Sequence, residues 1–307
     1  MTHPANDLPR WGLGTAPFGD FAEDAPARAE GIVVTALSNG VSLLDTAPLY
    51  GDGRSEALVG NALRGVPRSA FALTSKVGNI AIRNGTVQLA LDPGSIRESV
   101  YRSLERLGVE YLDVLHLHEP AMQNPAVALE GRLDTIFATL ELLREEGLTR
   151  RIGVGLNDVA LASVLIEREG IDCILLASRL TLLENTGAPV VARGEAIGLS
   201  TILGGIYNSG ILATGPQEAA TYEYASAPAI VRGRAAELQS ACEDWGVPLN
   251  VAATAYVSRR APRSTILFGA RSVREVDDFV QARSFQIPDG LWIDIAKIHR
   301  SWGWSEI

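Results

Sequence analysis

The amino-acid sequence predicts one α/β domain, a (β/α)8 TIM barrel, and three observations lead there. Short apolar runs alternate along the chain with longer stretches of helical period, the pattern left by repeated β-α units and a parallel sheet. Eight such runs occur, each with a helical stretch behind it, which favours a closed barrel over an open sheet. A chain of 307 residues, 47% hydrophobic and 21% charged, suits one large barrel, and no Pro-, Gly- or Ser-rich linker divides residues 1–307.

Taken in order, the first strand is expected at Trp11 to Thr15, with a helix over Ala27 to Asn39 that Asn39-Gly40 closes as a C-terminal cap. Ser42 to Thr46 and Glu56 to Leu63 form the second pair. Phe71 to Lys76 precedes a helix over Pro93 to Leu107 that Gly108 caps, and Leu112 to Leu117 precedes one over Leu133 to Glu146 that Gly147 caps. Arg151 to Gly155 pairs with Val159 to Glu169, and Cys173 to Ala177 with Val190 to Ala196. Ser200 to Leu203 leads to Ile230 to Trp245, capped by Gly246, and Thr265 to Phe268 leads to Ser272 to Val280. The remainder is expected to lie as a tail over the top face, where Trp292, Trp302 and Trp304 shape a substrate pocket or pack on the barrel.

Composition removes several classes of function. A net charge of −9, with no basic run interleaved with aromatics, argues against a phosphate-backbone partner. Cys173 and Cys242 cannot build a disulfide framework or a Cys-rich metal site, and they fit a reducing, cytoplasmic setting. Met1 to Arg10 lacks the charged and apolar regions of a secretory leader, and no apolar stretch is long enough to span a membrane.

In a barrel the C-terminal ends of the strands share one face, and chemistry is sought there. The second strand ends at Asp45 with Tyr50 shortly after, the third ends at Lys76, and the fourth at His116-Leu117-His118. Lys76 and Asp45 on neighbouring strands suggest a deliberate ion pair, since either charge buried alone would be costly. An ammonium about 4 Å from a phenol, at an effective dielectric near 20, is worth about 4 kcal/mol. That could bring Tyr50 from about 10 to about 7 and make it a general acid-base, with His118 as a neutral donor orienting a substrate oxygen. The plain alternative is a structural ion pair, a loop-capping histidine and a packed tyrosine. His116, on the same strand face but deeper, reads as a core or supporting histidine.

The segment from Asp45 to Glu56, the Thr74-Ser75-Lys76 end and the Leu117-His118-Glu119-Pro120 end resemble the aldo-keto reductase superfamily over nearly the whole chain. The resemblance implies a catalytic tetrad of Asp45, Tyr50, Lys76 and His118, a nicotinamide cofactor and a small-molecule substrate. Segments 175–184, 204–212 and 268–272 are similar to a subgroup of that superfamily that oxidises free aldoses (L-fucose, L-galactose or D-threo type) at C1, or pyridoxal. General aldehyde or ketone reduction is the alternative activity.

No Rossmann fingerprint is present, because Gly12-Leu13-Gly14 lacks the third glycine at the required spacing. The cofactor is therefore expected at the loops after strands seven and eight. Gly204, Gly205, Tyr207, Asn208, Ser209, Gly210 and Leu212 would wrap the pyrophosphate and nicotinamide ribose, with Gly269, Ala270, Arg271 and Ser272 opening the adenosine site. The alternative for these glycines is ordinary turn chemistry. Asn157 resembles the residue that reads the carboxamide. An aromatic that many relatives stack on the nicotinamide falls at Gly204, so the ring is either missing or supplied by Tyr207. Glu275 stands where a 2′-phosphate would sit, which points to NAD, with NADP possible through Arg271 and Arg274. Phe279 replaces an adenine-contacting asparagine.

Two rival classes share the barrel. A metal-dependent hydrolase would use His116 and His118, but the remaining histidines, His3 and His299, lie near the termini and the ligand set is short, so no metal is expected. A cofactor-sensing, non-enzymatic barrel need not keep four tetrad groups.

Overall fold

Along each strand, alternate side chains point to opposite faces, and that period of two sorts the molecule into an inner plug and an outer layer. In the computed structural model, residues 8–22, 25–82, 86–120 and 131–304 are described. Eight parallel strands close into a barrel: β1 Trp11–Gly14, β2 Leu43–Asp45, β3 Ala72–Val77, β4 Val114–His118, β5 Ile152–Leu156, β6 Cys173–Ala177, β7 Ser200–Gly204 and β8 Thr265–Gly269. Their order is sequential around the ring, with β1 pairing both β2 and β8. The helices are α1 Ala25–Ser38, α2 Arg54–Ala62, α3 Pro93–Leu107, α4 Leu133–Glu145, α5 Val159–Leu165, α6 Ala188–Ala196, α7 Ile211–Thr214, α8 Ala229–Asp244, α9 Leu249–Arg260, α10 Val273–Ala282 and α11 Asp289–Ser301.

Leu43, Val114, Cys173, Leu175, Ile202 and Leu267 fill the interior of the ring, and Leu8 joins them. Their outward neighbours Leu44, Leu115, Ile174, Leu203 and Phe268 meet the helices in the larger core. Each such leucine or isoleucine contributes about 2 kcal/mol by leaving water. Glycine tunes the plug at β5: a Cβ on Gly153 would stand 2.5 Å from His116 Nδ1, so its absence admits the imidazole.

Register then sets the site. Asp45 lies beside Thr74, Lys76 beside His116, and His118 beside Gly155. Most strand ends differ from expectation by one or two residues. The fourth strand begins at Val114, because Leu112 makes only an isolated bridge to Thr149.

Three elements lie outside the expected set. Helix α9 buries Leu249, Val251, Ala252, Ala253, Thr254, Tyr256 and Val257 on several sides, so it shows no single apolar stripe. A two-stranded hairpin at 79–82 and 86–89 follows β3. Helix α11 packs on α8: Trp302 Nε1 donates to Glu237 and Trp245 Nε1 to Asp294, while His299 donates to Leu182 O at 2.9 Å. Trp302 and Trp304 stack around His299, and Trp292 lies under Arg259. His3 lies outside the described residues. No helix among the described residues is long and apolar enough to cross a membrane.

Candidate active site

Inward-facing Asp45, Lys76 and His118 meet at the C-terminal mouth because β2, β3 and β4 are neighbours. Lys76 Nζ donates to Asp45 Oδ2 at 2.7 Å and to Thr46 O at 2.8 Å, and Thr74 Oγ1 donates to Asp45 Oδ1 at 2.6 Å. The ion pair is almost wholly buried. Burial alone would lower the Lys76 ammonium, but Asp45 and Tyr50 outweigh it and the net shift is upward. The ammonium sits 4.8 Å from the Tyr50 ring centroid, and Tyr50 meets His118 edge-on with ring centroids 6.1 Å apart. The four expected tetrad residues are thus brought together.

One expectation is corrected. Burial pushes the Tyr50 phenol up to about 12, with Lys76 pulling it down and Asp45 and Tyr224 pushing it up. Lys76 does not bring it to neutrality because burial outweighs its pull and Asp45 opposes it. His118 is held well below its ordinary value by burial, then by Lys76 and His116, and is a neutral imidazole. His116, fully buried below it, is pushed down to about 4, chiefly by burial.

Main chain places the tyrosine. Gly19 and Gly51 approach so closely that a Cβ on Gly51 would lie 2.6 Å from Gly19 Cα. Beneath that contact, Ser55 Oγ donates to Thr15 O at 2.8 Å and Thr15 Oγ1 donates to Asp45 O at 2.9 Å. The outward-facing Ser75 donates to Glu56 Oε1 at 2.6 Å, and Glu56, fully buried, also takes Arg106 Nε at 2.8 Å. Sequence reading gave Glu56 no role, although a glutamate inside the first turn of an apolar helix was a visible signal.

The expected cofactor residues line two shores of the same mouth. In the β7 loop, Asn208 is 1% exposed, yet both atoms of its amide lack a partner. Asn157 Oδ1, after β5, is also buried without one. Orphaned amides of this kind call for a ligand, and a dinucleotide with its carboxamide, riboses and phosphates fits them. Gly204 ends β7 with no side chain over the mouth, and exposed Gly205 follows with φ +61. Ser209 and Gly210 continue the left-handed turn with φ 58 and 102. Two residues are turned away: Leu212 is buried, with its N–H on Tyr207 O, and Tyr207 gives its hydroxyl to Thr254 at 2.8 Å.

On the β8 shore, Gly269 is exposed and Ala270 buried ahead of α10. Ser272 and Glu275 form a capping box there: Glu275 N–H donates to Ser272 Oγ at 3.3 Å, and Arg271 N–H donates to Glu275 Oε2 at 2.9 Å. Arg271 reaches Asp20 at 3.5 Å. Phe279 is buried and stacked on Phe268 at 3.7 Å between centroids.

Elsewhere, a groove lined by Arg64, Arg68, Glu105, Arg106 and Tyr111 lies where α2 and α3 return to the sheet, at the opposite end from the tetrad. Arg68 and Arg106 are paired there with Asp113 and Glu56. Among the described residues no group of three or more His, Cys, Asp or Glu side chains gathers as a metal set.

A family model described as the aldo/keto reductase family matches residues 10–300. The chain is 29% identical to a pyridoxal 4-dehydrogenase of Microbacterium luteolum, covering 92% of this chain and 91% of that protein. It is 28% identical to a D-threo-aldose 1-dehydrogenase of a Pseudomonas species, covering 94% of each. In three dimensions it is similar to a glycerol dehydrogenase from Gluconobacter oxydans, with a TM-score of 0.77 at 23% identity over 97% and 94% of the two chains.

Proposed function

The chain belongs to the aldo/keto reductase family, whose members are NAD(P)-dependent oxidoreductases of carbonyl and alcohol groups, and from that premise we propose that it oxidises a free aldose at C1. The product is a lactone and the acceptor is NAD. The observation that carries this reading is the buried Lys76–Asp45 pair beneath Tyr50, with a neutral His118 edge-on to the phenol. When bound, the nicotinamide supplies the hydride acceptor. Tyr50 takes the proton of the C1 hydroxyl as the C–H bond breaks and C=O forms. Tyr50 enters this step as the phenolate, which Lys76 stabilises, and leaves it as the phenol; Asp45 fixes Lys76, and His118 donates a hydrogen bond that holds the reacting oxygen. Asn157 and the Gly204–Leu212 loop hold the nicotinamide half, and residues 269–272 the adenosine half.

Pyridoxal, as its cyclic hemiacetal, presents the same group. The names of the two relatives support these two substrates alike. Reduction of an aldehyde or ketone is favoured by one observation, that the Tyr50 phenol stays protonated at neutral pH and so is ready as an acid. Support for NAD over NADP comes from the Glu275 carboxylate at the mouth of the adenosine side, where a 2′-phosphate would meet negative charge.

Purified protein incubated with NAD or NADP and L-fucose, L-galactose, D-arabinose or pyridoxal should form NADH or NADPH, respectively, with a lactone or its acid. Tyr50→Phe should cut that rate by about two powers of ten or more. Near wild-type turnover in Tyr50→Phe would refute the mechanism. A tenfold preference for NADP would refute the role given to Glu275.

A further inference from the structure

Seven non-glycine residues among those described have φ in the left-handed region: Asp52, Glu119, Ser178, Asn208, Ser209, Glu223 and Tyr224. All seven lie in loops at the C-terminal mouth. The turns that return the first six helices to the sheet put glycine at the same kind of position, from Gly40 to Gly198. Left-handed backbone costs a side-chain-bearing residue on the order of 1 kcal/mol, so the side chains held this way at the mouth need a reason beyond the turn.

One of them, Tyr224, has none in the fold. Glu223 and Tyr224, with φ 50 and 62, are the two central residues of the hairpin whose strands are Thr221–Tyr222 and Ala225–Ser226. Asn-Gly is the sequence that such a turn prefers. The hairpin is braced by the bond from Tyr224 N–H to Ser209 Oγ at 3.1 Å and by the Glu223–Arg179 ion pair at 2.5 Å. Tyr224 itself is 89% exposed. Its hairpin belongs to the loop after β7, across the ring from β3, and burial and Glu119 push its phenol up while Lys76 pulls it down. Glu119, with φ 37, directly follows His118; its carboxylate accepts the Asn157 N–H and is near enough to Tyr224 to raise its phenol. Its backbone N–H is held by Gly155 O at 2.8 Å. Arg179, the nearby cation, is already committed to Glu223 and, through Nε, to Asn157 O at 2.8 Å.

An aromatic across the mouth from the tetrad and a carboxylate beside it are therefore presented at strained positions. We propose that Tyr224 and Glu119 form the specificity wall of the substrate pocket, which accepts uncharged, hydroxylated substrates and rejects anionic ones. Tyr224 packs on the C–H face of the substrate, and Glu119 accepts hydrogen bonds from its hydroxyls and repels a carboxylate or phosphate. Burial pushes Glu119 up to about 7, with Asp158 adding to it and the Asn157 N–H and Arg179 opposing. A hydroxyl that donates to it favours its charged form. The inference rests on the carbonyl–alcohol chemistry proposed above and names the substrate class that this site selects.

The test compares kcat/KM for matched pairs, D-galactose with D-galacturonate and D-glyceraldehyde with glyoxylate. Binding of NADH by fluorescence titration checks that each variant is folded. The wild type should favour the uncharged member by about tenfold or more, and Glu119→Gln should lower that ratio by about tenfold. Tyr224→Ala should raise KM for the hydroxylated member by about fivefold, while Tyr224→Phe stays near the wild type. Tyr224→Gly should do the same as alanine yet melt no lower than the wild type, because it relieves the turn. An unchanged ratio in Glu119→Gln, or loss of stability in Tyr224→Gly, overturns the inference while leaving the reaction intact. A wild type that turns over neither pair in either direction removes the reaction itself.

Discussion

Lys76 stands 2.7 Å from Asp45, so the ammonium that faces Tyr50 arrives with its counter-ion. The net charge beneath the phenol is small, burial decides, and Tyr50 is pushed up to about 12. Its folded value lies far above neutrality, so the phenolate that oxidation requires grows about tenfold for each pH unit. Oxidation should therefore rise steadily with pH between about 7 and 9, while reduction, which uses the protonated phenol, stays flat. His118 is already neutral and should add no limb near its ordinary value. A pH–rate profile in both directions checks this, and a plateau of the oxidation rate at pH 7 would contradict it. The convergence of Asp45, Lys76 and His118 was legible because polar residues at the ends of apolar strands need partners. The proton affinity was not, because it is set first by how deeply the phenol is buried. Tyr224 was not legible either: a tyrosine in a short polar hairpin has no periodic signal, and its position over the mouth is made by backbone that sequence patterns do not display.

At the scale of elements, the barrel strands and α1 to α6 could be read from apolar period and glycine stops, whereas α9 could not. Buried on several sides, it presents alanine and valine all round and so lacks a stripe. The loop between β2 and α2 follows a different logic, since its shape comes from contact of main chain with main chain. Replacing Gly51 by alanine would force a Cβ within 2.6 Å of Gly19 Cα and place a side chain at φ +64. Gly51→Ala should displace Tyr50 and lower turnover by at least about tenfold, although no tetrad residue is changed. Gly19→Ala meets the Gly51 N–H side of the same contact, at 2.7 Å, and should behave alike. Steady-state kinetics beside a melting curve separates displacement from unfolding. Wild-type turnover in both variants would mean that the loop tolerates a wider approach. On the outer side of the sheet, Arg106→Ala would leave the Glu56 carboxylate buried with Ser75 alone and should cost about 3 kcal/mol in denaturant unfolding.

For the molecule as a whole, three buried imidazoles set the response to acid. His116 and His299 are each pushed down to about 4, mainly by burial, and His118 is also depressed. Their folded values lie below the unfolded one, so the unfolded chain binds more protons between those limits. Stability is full above about pH 6.5 and is lost as pH falls toward 4, by roughly 2 kcal/mol at pH 5 for His116. Glu119 acts in the opposite sense, since a carboxyl raised to about 7 stabilises the acid side and loses that contribution as pH rises through 7. Three groups against one leave a net loss in acid. The melting temperature should fall by roughly 2–5 °C from pH 7 to pH 5, and His116→Leu should flatten the fall. A melting temperature independent of pH in that interval would contradict the burial of these rings. The barrel also has two unlike ends, one whose return turns rely on glycine and one whose turns hold polar and aromatic side chains in the same backbone region. A mutational library confined to the second end would explore new selectivities on a scaffold it does not touch, and many of its members, by exchanging strained side chains for glycine, would gain heat resistance as they lose discrimination.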